Sequence, residues 1–91
     1  MTLEDRATKV KRLRMRSMRR GIKEMDVILS AYADQHLAAL SDEAMATYDA
    51  LLSENDHDIY SWVTGQGTAP AQYQEIMADV TAMASGLTRP Q

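Results

Sequence analysis

The sequence contains no cysteine and no phenylalanine. The first absence removes disulfide frameworks and thiolate metal sites, and it permits a reducing compartment. The second leaves the core to aliphatic side chains, seven methionines, four tyrosines and one tryptophan. No apolar run approaches the ~20 residues that span a bilayer, and no apolar signal segment follows the charged start. A soluble, cytoplasmic protein with no membrane partner is therefore expected. With 91 residues there is room for one domain over 1–91, with 88–91 as a short tail, and for one modest core. At this size folding buries roughly 60% or more of the extended chain's surface.

What is present is an uneven charge distribution. Residues 1–23 hold nine of the ten basic residues against Glu4 and Asp5, for a balance of +7. Residues 24–91 hold eleven acids against Arg89, for −10, and the two sum to the net −3. Such asymmetry marks nucleic-acid or acidic-lipid binding, or a polar surface built for one protein partner.

Apolar spacing is helical throughout, with no sustained alternation of the kind a half-buried strand shows. Leu3, Ala7, Val10 and Leu13 form one stripe; Ile22, Met25, Leu29, Tyr32, His36 and Leu40 form another. Projected at about 100° per residue, the two are offset by roughly 80°, so one straight helix cannot point both at one core. A bend is predicted between Ser17 and Ile22, with Gly21 as its pivot because glycine tolerates positive φ. Ser41, followed by Asp42 and Glu43, reads as the N-cap of a third helix with Ala44, Met45, Tyr48, Leu51 and Leu52 on its apolar face. Asp56 is placed to cap a fourth, with Ile59, Trp62 and Val63 facing inward and Gly65 stopping it. Pro70 suits the first turn of a fifth, whose Tyr73, Ile76, Met77, Val80, Met83, Ala84 and Leu87 share a face before Gly86 and Pro90 end it. The expected fold is all-α, a single-domain bundle of about five short helices. Met45, Met77 and Met83 fall at core spacing, and Trp62 is expected as the large central core residue.

Catalytic chemistry is hard to find. His36 lies on the apolar stripe of the second helix, where a core or rim histidine is the simplest account. His57 sits between Asp56 and Asp58, but this stretch lacks the mid-loop glycine and terminal glutamate of an EF-hand, so helix capping explains it better. No phosphate-cradling glycine loop, nucleophile elbow or His-Glu-x-x-His stretch is present. No enzyme, no metal and no cofactor of its own is expected.

The basic segment is more informative. On a helix Arg12, Arg16, Arg19 and Lys23 share one side, with Lys9 and Arg20 on its flank, and the first helix has few acids to pair with them. Concentrated like charge costs stability, which a negatively charged partner would relieve. Against nucleic acid stand the acidic remainder of the chain and the lack of interleaved aromatics. Glu24 projects about 130° from its own helix's apolar stripe, beside Val27, Ala31 and, one turn back, Arg20. These residues are expected to face outward. A glycine at a bend, flanked by an arginine fork and a carboxylate with Val27 nearby, suits close docking of another backbone. The candidate partner-binding residues are Arg16, Arg19, Arg20, Gly21, Lys23, Glu24 and Val27.

At these residues the chain resembles the SdhE family of FAD assembly factors for succinate dehydrogenase, whose mitochondrial members are called succinate dehydrogenase assembly factor 2. The hallmark Arg-Gly-x-x-Glu is Arg20-Gly21-Ile22-Lys23-Glu24, preceded by Arg19 and followed by Met25-Asp26. Downstream, LLSENDHDIYSWVTGQGTAP resembles the family's second conserved-pattern segment, and the likeness runs from about Arg12 to Met83. Met18 stands where the family often has a small residue or cysteine, and Met25 where leucine is common. The resemblance implies a five-helix bundle without catalytic residues. It would bind the flavoprotein subunit of succinate dehydrogenase or fumarate reductase and promote covalent attachment of that subunit's FAD to a histidine. It assigns Arg20, Gly21 and Glu24 to the functional motif, and Asp56, Asp58, Ile59, Tyr60 and Trp62 mainly to structure. The free chain is expected to be a monomer. The alternative class is a small basic-faced regulatory module that binds nucleic acid or acts as an antitoxin-like interaction domain.

Overall fold

A computed structural model describes residues 4–88, with side chains described through Ser85. Five α-helices follow one another: α1 (Arg6–Arg16), α2 (Lys23–His36), α3 (Asp42–Leu51), α4 (Asp56–Thr64) and α5 (Gln74–Thr88). Short 3-10 turns at Leu37–Ala39 and Ala71–Tyr73 lead out of α2 and into α5, and no strand occurs among the described residues.

The helix ends follow local chemistry. Asp5 caps α1, its carboxylate accepting the Thr8 N–H at 2.7 Å. Ser41 caps α3 through the Ala44 N–H at 3.0 Å, with Asp42 and Glu43 in the first turn as the sequence predicts. At α4 the cap is Asn55, which accepts the His57 N–H at 2.8 Å, rather than Asp56. The substitution of roles frees the Asp56 carboxylate for a longer-range task. Gly65 ends α4 with φ +83°, the left-handed conformation that a glycine stop supplies at no steric cost. Helix α5 runs past Gly86 to Thr88, beyond the expected stop. Leu3, Pro90 and most of the expected tail lie outside the described residues, as does the Leu87 side chain.

Every helix contributes to one core. Leu13 comes from α1, Met25, Ile28, Leu29, Tyr32 and Ala33 from α2, and Met45, Tyr48 and Leu51 from α3. Ile59 of α4 and Ile76, Met77, Val80 and Ala84 of α5 close it. Methionines do fill this core, but Trp62 is only half-buried at its edge, with its ring 6.0 Å from that of Tyr73. Tyr32 and Tyr48 are the largest fully buried side chains instead. The Tyr48 hydroxyl is satisfied by Ser17 Oγ at 2.5 Å, and Ser17 also bonds the Leu13 carbonyl at 2.8 Å. Burial pushes the Tyr48 phenol up to about 12, partly opposed by the Ser17 hydrogen bond. His36 is exposed at the end of α2, its ring 5.1 Å from that of Tyr32 and tilted by 37° to it. Ala7 is exposed too, which leaves Leu13 as the one fully buried apolar side chain of α1.

Candidate functional site

Helix α1 ends at Arg16 and α2 begins at Lys23, so the bend falls where the offset stripes place it. Its pivot is different. The residue with positive φ is Arg19, at +58°, whereas Gly21 keeps a negative or extended φ. Gly21 matters for closeness instead. Its N–H donates to Asp56 Oδ2 at 2.5 Å, and a Cβ built on it would stand 3.2 Å from that same oxygen.

The Asp56 carboxylate is held from the other side by Arg20. Arg20 Nε and Nη2 donate to Oδ1 at 3.0 and 2.7 Å, and only 11% and 14% of the two side chains remain exposed. The same guanidinium donates to the carbonyls of Arg16 at 2.8 Å and Leu52 at 3.0 Å, at the C-terminal ends of α1 and α3. Those carbonyls have no partner within their own helices, and a cation there is favoured by the helix dipoles. Asp56, in the first turn of α4, meets the opposite end of a dipole. Arg20 is thus an inward clamp joining three helices, which corrects the expectation that it projects outward. Arg16 is also turned inward: it bonds the Asp49 carboxylate, the Asp49 carbonyl at 3.2 Å and Ser53 Oγ at 2.8 Å.

The other candidates stand on the outer side of the same joint. Arg19, Lys23, Glu24 and Val27 are exposed, Val27 by 52%. None of Arg19, Lys23 and Glu24 forms an ion pair among the described residues, so no Arg20–Glu24 pair exists. Glu24 edges a groove of about 210 Å³ between α2, α4 and α5, floored by Ile28, Tyr60, Val63 and Ala84. Two further exposed apolar side chains, Met15 at 60% and Met18 at 37%, flank the start of the joint. The helical stripes contained a signal for them, since neither falls in line with Val10 and Leu13.

The basic face of α1 is largely neutralised from within. Arg6 pairs with Asp42, Arg12 with Glu4 and Asp49, Arg14 with Asp34, and Arg16 with Asp49. The first helix alone has few acids, but α2 and α3 bring theirs alongside it, so repulsion on α1 no longer argues for an anionic partner. The hydrogen bond from Arg12 holds both Glu4 and Asp49 below the usual carboxylate range. Among the described residues no three His, Cys, Asp or Glu side chains gather as a metal site would require. No helix among them is long and apolar enough to cross a membrane.

Residues 11–84 match the profile of the protein family described as flavinator of succinate dehydrogenase. The chain is 51% identical over 63 residues to succinate dehydrogenase assembly factor 2, mitochondrial, of Meyerozyma guilliermondii, a match covering 69% of this chain and 47% of that protein. It is 48% identical over 61 residues to the protein of the same name in Aspergillus terreus, covering 67% and 21%. To succinate dehydrogenase assembly factor 2-A, mitochondrial, of Drosophila erecta it is 42% identical over 73 residues, covering 77% and 45%. The chain thus spans less than half the length of each of these relatives.

Proposed function

The chain belongs to the family of flavinators of succinate dehydrogenase, and from that premise we propose that it is an assembly factor that promotes covalent attachment of FAD to the flavoprotein subunit of succinate dehydrogenase or fumarate reductase. It acts as a binding partner, without catalytic residues or a cofactor of its own, and the FAD belongs to the client. It works in the cytoplasm, whereas the relatives named above are mitochondrial proteins.

The observation that carries the site assignment is the division at the joint. Arg20 and the Gly21 N–H are locked onto Asp56, and this holds Arg19, Lys23, Glu24 and Val27 outward on a fixed backbone. Preorganised exposed charge beside apolar surface suits a specific protein contact, because little ordering remains to be done on binding. Arg16, Arg20 and Gly21 support this surface from behind. A helper of this kind shifts the client toward one conformation by its differential affinity for it. Flavin and histidine are then held in reactive geometry, and the bond-forming chemistry is the client's.

The test mixes client apoprotein and FAD with wild type or with Glu24→Lys, Glu24→Ala and, as a control on the α4–α5 loop, Gln66→Ala. All variants must keep the wild-type circular dichroism spectrum. In-gel flavin fluorescence is expected to fall about tenfold with Glu24→Lys, less with Glu24→Ala, and not at all with the control. Undiminished flavin attachment with Glu24→Lys removes the joint's outer side from the docking surface. Undiminished attachment with no factor added removes the function itself.

A further inference from the structure

The groove of about 210 Å³ between α2, α4 and α5 adjoins the outer side of the joint, because Glu24 belongs to both. Of the residues that floor it, Ile28 and Ala84 are 2% and 3% exposed, and Tyr60 and Val63 are half-buried. Tyr60 and Val63 come from α4, the helix whose first turn is clamped to Arg20 through Asp56. The contact that locks the joint therefore also fixes one wall of the groove.

The polar groups around this floor make few demands. The Thr64 hydroxyl donates to the Tyr60 carbonyl at 3.0 Å, and that of Ser85 to the Thr81 carbonyl at 3.2 Å, so both are turned back on their own helices. Glu24 is the one charged residue among the described residues that line the groove, and its carboxylate forms no ion pair among the described residues. It also separates two surfaces. Ile28, one turn along α2, lies in the groove, whereas Val27 is exposed outside it.

Size and chemistry together select the occupant. Pockets that enclose a whole small ligand begin at about 300 Å³, so this groove suits one side chain of a larger partner. A polar side chain would be buried on an apolar floor without a hydrogen-bond partner, at a cost in free energy, whereas an aliphatic one gains by leaving water. The unpaired carboxylate at the edge attracts a cation and repels an acid. Residues four apart on a helix have Cβ atoms roughly 6 Å apart. The cation that meets Glu24 and the aliphatic group that covers Ile28 therefore come from one short stretch of the partner.

Resting on the reading that the outer side of the joint docks the flavoprotein client, we propose that the groove is a second subsite of that interface, which takes one aliphatic side chain of the client whose lysine or arginine neighbour pairs with Glu24. An anchor seated in a pocket and a charge pair at its rim set the orientation of the docked client, where the joint alone offers an open surface. The subsite adds Tyr60, Val63, Thr64 and Ser85 to the residues that meet the client.

The experiment titrates the full chain with client apoprotein by calorimetry. Ser85→Trp and, from the α4 side, Thr64→Trp lay an indole over the floor, while Ala78→Trp puts the same ring on an exposed part of α5 outside the groove. Variants are compared once their circular dichroism matches that of wild type. The dissociation constant is expected to rise about tenfold with Ser85→Trp and with Thr64→Trp, and to stay unchanged with Ala78→Trp. Glu24→Gln is expected to raise it about threefold at low salt and to flatten its dependence on ionic strength. In the wild-type chain, the methyl resonances of Ile28 and Val63 should shift on saturation with the client. Wild-type affinity in either groove variant, unmoved methyl resonances, or a salt dependence that Glu24→Gln leaves intact overturns the subsite. If Glu24→Lys still lowers flavin attachment in that case, the reading of the joint survives. A client that does not bind the wild-type chain overturns both. Self-association of the chain without client, abolished by Ser85→Trp, assigns the groove to a second copy and overturns the client subsite.

Discussion

The two sides of the α1–α2 joint are built from adjacent residues and are used oppositely. On the inner side, Arg20, Gly21 and Asp56 satisfy one another and close the ends of α1, α3 and α4. On the outer side, Arg19, Lys23 and Glu24 carry charge that no ion pair among the described residues meets. Five residues within 19–24 therefore divide between holding the fold and presenting a surface. A loss of function at Arg20 and one at Glu24 are different events, and stability measurements separate them.

The largest expected effect comes from breaking the inner side at its centre. Asp56→Ala strands a guanidinium that is 11% exposed and removes the acceptor of the Gly21 N–H. The expected cost is about 3 kcal/mol, read from the midpoint of urea unfolding. A loss no larger than that of an exposed pair, about 0.5 kcal/mol, would mean that Arg20 swings into water freely and that the division between the two sides is false.

A subtler change sharpens the same contrast. Gly21→Ala brings a methyl to 3.2 Å from Asp56 Oδ2, and a shift of a few tenths of an ångström must absorb it. Because φ at Gly21 is not positive, no left-handed strain is added, and the expected loss is about 1 kcal/mol. Combined with Asp56→Ala, the Gly21→Ala cost should vanish, since the contact that opposes it is gone. Additive costs in that cycle would place the restraint elsewhere.

The smallest effect belongs to the ion pairs along α1. The hydrogen bond from Arg12 lowers Asp49 below the ordinary 3.8, so its contribution is fully present above that value and is lost as pH falls through the lowered one. Asp49→Asn removes that contribution. The variant should be less stable by roughly 0.5 kcal/mol at neutral pH and should lose stability less steeply on acidification below about pH 4. Parallel pH profiles for the two proteins would show that the pairs add nothing to stability.

Much of this fold was legible in the sequence because helical periodicity and end chemistry are local. The offset between the Val10/Leu13 and Met25/Leu29 stripes located the joint, and Ser41 and Gly65 marked their helix ends. What the sequence hid was long-range. A helical projection assumes that the helix continues, yet residues 17–22 are not helical, so the outward direction inferred for Arg20 had no basis in the real backbone. Its partner lies 36 residues away, beyond any periodic signal. Gly21 drew attention as the flexible residue, while Arg19 took the left-handed conformation and Gly21 supplied the close approach. Trp62 was misplaced by size alone, because it closes the rim near Tyr73 and leaves the centre to Tyr32 and Tyr48. Glu24 and Val27 were placed correctly on the outside, since they lie within a regular helix where projection holds.

Helix α1 anchors itself with one fully buried apolar side chain, Leu13, with the partly buried Val10 beside it, and with guanidinium–carboxylate bridges near water. Contacts of that sort weaken as ions crowd the solution, whereas the oily interior formed by α2, α3 and α5 does not. The attachment of the amino-terminal helix is therefore the part of the bundle most sensitive to ionic strength.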